Sequence, residues 1–261
     1  MLKFSIITCA LNSAKYLEKN IVSVKSQNFK NFEHIFIDGF SQDKTIELIK
    51  NYQKEYLNQV KFFQYPPQGI ANAFNKGIKS SSGEYLIFLN SDDYFYDEKV
   101  LEDVNKFLES NNFDWIYGQI NVIEENGKPV GIWPKHWYLR WNYKNFIGRY
   151  FLKFFNFVPH QGVFIKKEVF RKFGNFDESL SGLMDIEYWL RIRNKTKWGF
   201  FSRVITNFRI GSYAQSSSIK NIAINKLDIT RIRRWHLNSI ERIISFIIDK
   251  IIWFKSKKNL R

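Results

Sequence analysis

Apolar residues along this chain alternate between a period near two and a period near 3.6. Lys3 to Cys9 is a β-rich apolar run that predicts a strand, and Ala14 to Gln27 places Leu17, Ile21 and Val24 at helical spacing. Glu33 to Ile37 predicts a second strand ending at Asp38-Gly39, followed by a helix over Asp43 to Tyr56 with Ile46 and Ile49 on one face. Val60 to Gln64 predicts a strand, Pro66-Pro67-Gln68-Gly69 a turn and Ile70 to Lys79 a short helix. Tyr85 to Leu89 predicts a buried strand and Val100 to Leu108 another helix. Strands alternating with helices in this way imply an α/β chain with a parallel sheet covered on both faces.

In such sheets ligands bind beyond the carboxyl ends of the strands. Three polar clusters fall there: Asn12 after the first strand, Asp38 to Ser41 after the second, and Asn90 to Asp93 after Leu89. The chain then changes character. Asp114 to Val130 predicts two strands joined at Asn126-Gly127. Between Glu125 and Glu168 there is no acidic residue. That interval instead carries Trp133, Trp137, Trp141, Tyr143, Phe146, Tyr150, Phe151, Phe154, Phe155 and Phe157 among Lys135, Arg140, Lys144, Arg149 and Lys153. A helix begins near Leu183 and closes with Arg191 and Arg193.

With 261 residues, 44% of them hydrophobic and 18% aromatic, the chain can bury a substantial core, which argues against disorder. Its single cysteine, Cys9, forms no internal disulfide, so a reducing compartment fits, and its apolar setting makes it a small buried hydrophobe. The N-terminal apolar run is too short to span a membrane and is followed by no small-residue cleavage site. No stretch approaches ~18 uninterrupted apolar residues, so neither secretion nor a membrane span is expected. The net charge of +15 draws the chain toward polyanions, whether nucleic acid, anionic lipid or phosphorylated substrates.

The doublet Asp92-Asp93 is the sharpest chemical feature. Adjacent carboxylates at a strand end repel each other unless a cation is shared. Their hard oxygens suit Mg²⁺ or Mn²⁺, which keep several waters and also take phosphate oxygens. A helix-capping aspartate is the competing reading, but capping needs only one.

Several segments, in order, resemble the bacterial family 2 glycosyltransferases of the GT-A fold. They are Phe4-Ser5-Ile6-Ile7-Thr8, Asn12, Ser26-Gln27, Ile37 to Thr45, Ala73 to Ile78, Ser82 to Tyr85 and Leu89 to Asp93, and the likeness extends to about Arg191. The resemblance implies a Rossmann-like mixed sheet flanked by helices, with a C-terminal amphipathic helical extension. It implies a catalytic domain over 1–215, split into a nucleotide-sugar half (1–118) and an acceptor half (119–215), and a basic helical tail over 216–261. It places Thr8, Ala10 and Asn12 along the nucleotide, Asp38 at the uracil edge, Ser41 and Asp43 in the turn shaping that pocket, and Asn75 and Gly77 in a helix closing over the nucleotide. Asn90 joins the donor side. Asp92 takes the ribose and metal side, and Asp93 the direct metal ligand. Gly39 stands where family members often carry a second acidic residue.

A second likeness covers Gly174 to Glu178 and Met184 to Arg191, where Asp185 takes the position of the family's general base and Met184 replaces the usual preceding Glu. Glu187 is a competing base, and a helix N-terminal charge is the structural alternative for Asp185. Pro159-His160-Gln161-Gly162 resembles a feature on the acceptor or diphosphate side, and Trp189 is either an acceptor-stacking ring or a core residue. The implied activity is an inverting, metal-dependent transfer from a UDP-sugar to a lipid-linked glycan, such as a polyprenyl-diphosphate-linked acceptor. A non-catalytic nucleotide-sugar or polyanion-binding protein is the alternative.

Beyond Ile219 the chain has eleven basic and three acidic residues. Ile240, Ile243, Ile244, Ile247, Ile248, Ile251 and Ile252 form one apolar stripe, with Arg242, Lys250, Lys255, Lys257 and Lys258 off it or at its end. Such a helix fits an anionic membrane surface, here the inner face of the cell membrane, and otherwise packs on the catalytic domain. Nucleic acid is not an expected partner.

Overall fold

A computed structural model of the chain describes residues 2–135, 146–211 and 219–258. The first half is built as the apolar periods predict. Strands β1 (Phe4–Ala10), β2 (Phe32–Asp38), β3 (Val60–Gln64) and β4 (Tyr85–Phe88) lie parallel in the order β3-β2-β1-β4. β2 and β4 are buried along their whole length because helices cover both faces. Helix α1 (Ala14–Lys25) turns Leu17, Ile21 and Val24 inward, α2 (Thr45–Glu55) turns Ile49 and Tyr52 inward, and α3 (Ile70–Ser80) contributes Phe74 and Ile78. A Cβ on Gly77 would collide with the Ile7 side chain, so this glycine lets α3 lie close on β1.

Beyond β4 the sheet becomes mixed. Its full order is β3-β2-β1-β4-β8-β6-β9-β5, with β7 paired to β6. After α4 (Val100–Glu109), β6 (Trp115–Ile123) and β7 (Pro129–Trp133) form the expected hairpin. Five further elements were not foreseen: β5 (Tyr94–Phe95), α5 (Phe146–Phe151), β8 (Val163–Lys166), α6 (Lys167–Phe173) and β9 (Trp198–Arg209). Helix α7 (Met184–Ile192) precedes β9 (Trp198–Arg209), a long strand parallel to β6 and antiparallel to β5. Pairing Tyr94 with Asn207 brings the end of β9 against the loop that follows β4.

One core face holds Trp115, Tyr117, Trp189 and Trp198 with Phe88, Phe170 and Tyr188; the other packs α4 through Val104 and Leu108 onto Ile116 and Ile205. Phe157 is core, whereas Tyr150 and Phe151 are exposed. Trp137, Trp141, Tyr143, Arg140 and Lys144, and the side chain of Phe146, lie outside the described residues.

Helix α8 (Ile219–His236) meets the domain through buried Ile232 and through Asp228, whose carboxylate accepts the amides of Ser181 and Gly182. Helix α9 (Ser239–Lys258) opens with a reciprocal cap: Asn238 Oδ1 accepts the Glu241 amide and Glu241 Oε2 accepts the Asn238 amide. Among the described side chains of the isoleucine stripe, four face away from the domain and Ile248 is half-buried. Buried Glu241 and Ser245 face inward, while Ile240, Ile243, Ile244 and Ile247 are exposed. The side chains of Ile251, Ile252, Lys255, Lys257 and Lys258 lie outside the described residues.

Candidate active site

A cleft of ≈620 Å³ opens at the carboxyl ends of β1, β2 and β4 and is bounded on its far side by the start of α7 and the end of β9. Two turns shape its inner end. Asn12 adopts a left-handed φ of 51°, donates its amide to Ser41 Oγ at 2.9 Å and accepts the Gln42 amide on its side-chain oxygen at 2.8 Å. Asp38, fully buried at the end of β2, accepts the Ser41 hydroxyl, the Ser41 amide and Gln64 Nε2. Asp43 accepts the amides of Ala14 and Thr45. Ala10, Asn12 and Asp38 line the cleft, and Ser41 braces the turn from behind.

Three donor-side expectations are displaced. Thr8 is buried between strands, donating to the Leu89 carbonyl at 2.8 Å and meeting His34 Nε2 at 2.9 Å. Burial pushes the pKa of His34 down to about 3, so its ring is neutral. Asn75 turns away from the cleft and ties down the 176–178 loop through Phe176 and Glu178. Gly77 serves helix–sheet packing, as above.

The doublet splits. Asn20 of α1 donates to the carbonyls of Asn90 and Asp93, fixing the loop after β4. Asp92 then lines the cleft, and no side chain among the described residues donates a hydrogen bond to its carboxylate. Burial raises its pKa, and the charges of Arg209 and His160 offset this only in part. Asp93 is 0% exposed and absent from the cleft wall. Its Oδ1 accepts the Arg209 amide at 2.9 Å and its Oδ2 accepts Asn90 Nδ2 at 3.2 Å. Burial first, then the charge of Asp92, push its pKa well up. The residue expected to be the direct metal ligand thus has Oδ1 on the end of β9 and Oδ2 on Asn90, and does not line the cleft.

On the opposite wall, His160 and Gln161 sit on the short 3-10 turn before β8, and Asp185 lies in the first turn of α7. His160 Nδ1 is 3.4 Å from Asp185 Oδ2, and its Nε2 lies 3.5 Å from Asn90 Nδ2. The imidazole thus bridges the two walls, with Asp185 and Asn90 at its two nitrogens. Glu187, two residues on, is buried and paired with Arg191 and His236, away from the cleft. Trp189 is 1% exposed and stacks on Trp115 at 5.1 Å, which leaves no ring face for a sugar.

The residues that sequence reasoning missed come from the far half. Arg209 lines the cleft, donates Nε to the Asp92 carbonyl at 3.3 Å, holds the carbonyls of Glu124 and Glu125, and lies 4.5 Å over the Tyr16 ring. Trp133, at the end of β7, is the tryptophan that does line the cleft, near Ile120 and Phe208. Tyr65 and Pro67 flank the Asp38 end.

The described residues hold no cluster of three or more His, Cys, Asp or Glu side chains placed for a metal. The donor set nonetheless fits a hard divalent ion of the Mg²⁺ or Mn²⁺ kind, which takes one or two carboxylates and completes its shell with waters and phosphate oxygens. Asp92 is such a carboxylate: desolvated, open to the cleft and only partly offset by the charges of Arg209 and His160.

Comparison with known proteins accords with this geometry. Residues 5–174 match the model of glycosyl transferase family 2. An uncharacterized glycosyltransferase of Rickettsia bellii is 33% identical over 211 residues, covering 80% of this chain and 29% of the relative, so the chain spans under a third of that protein's length. A PGL/p-HBAD biosynthesis glycosyltransferase of Mycobacterium bovis is 25% identical over 239 residues, covering 88% of this chain and 83% of the relative. Among solved structures, Staphylococcus aureus TarS 1–349 with UDP-GlcNAc superposes with a TM-score of 0.69 at 20% identity, covering 86% of this chain and 65% of that one. The mannosyltransferase PcManGT of Pyrobaculum calidifontis, with GDP-Man and Mn²⁺, gives 0.61 at 14% identity, covering 81% of this chain and 58% of the other.

Proposed function

The chain belongs to glycosyl transferase family 2 and has the GT-A fold, and from that premise we propose that it moves a sugar from a UDP-sugar to a hydroxyl of a lipid-linked glycan, with inversion at the anomeric carbon. The observation that carries this reading is the layout of one cleft. Asp38 and its turn lie at the inner end, Asp92 and Arg209 stand between, and Asp185 faces them across His160. A donor nucleotide seated with its base at Asp38 presents its diphosphate to Asp92 and its anomeric carbon toward Asp185.

Asp38 spends three hydrogen bonds on Ser41 and Gln64, and a carboxylate has about four acceptor sites, so one remains for a base N–H. Uracil offers a single such donor on that edge. TarS with UDP-GlcNAc supports a UDP donor; PcManGT with GDP-Man is the alternative that a donor screen resolves.

Asp185 takes the proton of the acceptor hydroxyl as that oxygen attacks the anomeric carbon and the bond to the diphosphate breaks. A positioned carboxylate of this kind contributes roughly 10²–10⁴-fold. His160 Nδ1, 3.4 Å from Asp185 Oδ2, helps to keep that carboxylate aimed at the acceptor. Asp92, with Asn90 beside it, would hold Mg²⁺ or Mn²⁺. Such an ion supplies Lewis-acid neutralisation of the leaving diphosphate when bound. Arg209 adds a fixed positive charge on the same side.

The PGL/p-HBAD biosynthesis glycosyltransferase of Mycobacterium bovis is a relative that this reading of a lipid-linked acceptor follows. Such an acceptor places the enzyme peripherally at the cytoplasmic face of a membrane; no helix among the described residues is long and apolar enough to cross one.

The test is a panel of UDP- and GDP-sugars, each with Mn²⁺ or Mg²⁺, read by thermal stabilisation and by release of nucleoside diphosphate. A UDP-sugar should stabilise the protein in the presence of metal and be turned over. Asp185→Asn should keep the stabilisation and lose turnover. Stabilisation by no sugar nucleotide would overturn the reading.

A further inference from the structure

Helix α9 is built inside out. Its domain-facing side carries two buried polar residues, Glu241, 6% exposed and paired with Lys153, and Ser245, 1% exposed, with Ile248 half-buried. Its outward side carries Ile240 at 71%, Ile243 at 61%, Ile247 at 51% and Ile244 at 38% exposed. At 3.6 residues per turn these four isoleucines fall within a sector of about 100°, a continuous ridge along two turns. Phe246, also exposed, borders it. A water-soluble helix ordinarily turns such a stripe inward, so this arrangement marks an interaction surface.

The polar face is fixed rather than incidental. The Asn238–Glu241 cap and the Lys153–Glu241 ion pair set the rotation of the helix about its axis. Lys153 follows the exposed Tyr150 and Phe151 of α5 by three and two residues, which brings those rings to the same end of the molecule. On α8, Leu227, Arg231 and Trp235 recur every four residues on one exposed face.

The charge around the ridge selects its occupant. Both acidic residues of α9 are neutralised, Glu241 by Lys153 and Asp249 by Arg233. Arg234, Arg242 and Lys250 are exposed and form no ion pair with a described carboxylate. The sequence adds Lys255, Lys257 and Lys258 to the end of the same helix. An outward apolar ridge with Lys250 at its edge, and with the uncompensated Arg242 further round the same helix, is complementary to a lipid surface with anionic headgroups: the side chains enter the acyl boundary while the long cationic side chains reach phosphates. A second copy of the chain would set these cations against themselves.

We infer that the outward isoleucine ridge of α9, with Trp235 of α8 and the flanking arginines and lysines, is a docking surface for an anionic membrane. It rests on the peripheral location proposed above and not on the transfer chemistry, because vesicle binding is read without donor or acceptor.

The experiment is co-sedimentation of the full chain with vesicles of phosphatidylcholine alone or with phosphatidylglycerol. Wild-type protein should pellet with the mixed vesicles, less at high salt, and stay in solution with the neutral ones. The pair Ile243→Ser and Ile247→Ser should weaken binding roughly tenfold or more while the unfolding temperature is kept. Should that variant misfold, the exposed pair Arg242→Glu and Lys250→Glu decides, with the same loss expected. Wild-type protein left in the supernatant with mixed vesicles, or variants that pellet as wild type does, would overturn the inference. So would a dimer in light scattering that both variants dissociate while vesicle binding is absent.

Discussion

Asp93 accepts the backbone amide of Arg209 on Oδ1 at 2.9 Å, across 116 residues of sequence, so one carboxylate of the doublet secures the end of β9 while its neighbour Asp92 faces the cleft. The two aspartates should therefore separate in experiment. Asp92→Asn is expected to lower transfer by roughly 10²–10³-fold and to abolish metal-dependent stabilisation by the donor. Asp93→Asn keeps an oxygen for the Arg209 amide and should stay within about tenfold of wild-type turnover. Steady-state kinetics with a Mn²⁺ titration check this, and equal losses in both variants would count against the assignment.

The same burial makes stability depend on pH. The folded-state pKa of Asp93 lies well above the ordinary carboxylate value of about 4. A raised folded pKa means that folding favours the protonated form. The contribution is fully present below the unfolded pKa and is lost as pH rises through the folded one. The unfolding temperature should fall as pH climbs upward from about 4, and Asp93→Asn should flatten that fall. A divalent cation should restore more stability at the upper end, where Asp92 is ionised and free of a competing proton.

Asp185→Asn should reduce transfer by roughly 10²–10⁴-fold with the donor dissociation constant nearly unchanged, since the carboxylate acts on the acceptor proton. Glu187→Gln, two residues away, should behave oppositely. Glu187 is buried against Arg191 and His236, so the variant lowers the unfolding temperature. Donor binding by calorimetry and unfolding by circular dichroism separate the two effects.

Arg209 uses one guanidinium for the Asp92 carbonyl, the β6–β7 turn and the Tyr16 ring. Arg209→Ala should weaken donor binding by about tenfold or more, and Arg209→Lys should not rescue it, because an ammonium lacks the planar fork that reaches several carbonyls at once. Recovery of wild-type affinity in the lysine variant would show that charge alone suffices.

The tryptophans should also divide. Trp189→Ala removes a ring stacked on Trp115 in the core and should cost about 3–5 kcal/mol of stability. Trp133→Ala, at the cleft wall, should leave the unfolding temperature nearly unchanged and raise the acceptor KM. A matched thermal and kinetic comparison of the two variants tests the division.

Local pattern alone carried the βα units from Phe4 to Glu109, the hairpin at Asn126-Gly127, the start of α7 and the three polar clusters at strand ends, because each depends on residues within one or two turns of each other. It also brought Asn12, Asp38 and Asp92 forward at strand ends, the family resemblance added Asp185, and all four line one cleft. Tertiary structure decided the rest. Which of two adjacent carboxylates faces the cleft depends on Asn20 and on the Arg209 amide, which arrive from distant elements. Whether Trp189 or Trp133 meets the cleft depends on where the sheet runs between them. Helical periodicity shows that the isoleucines of α9 share a side, but not which way that side turns. The buried pairing of Glu241 with Lys153 turns it outward, and an ion pair across 88 residues leaves no trace in the spacing of either partner.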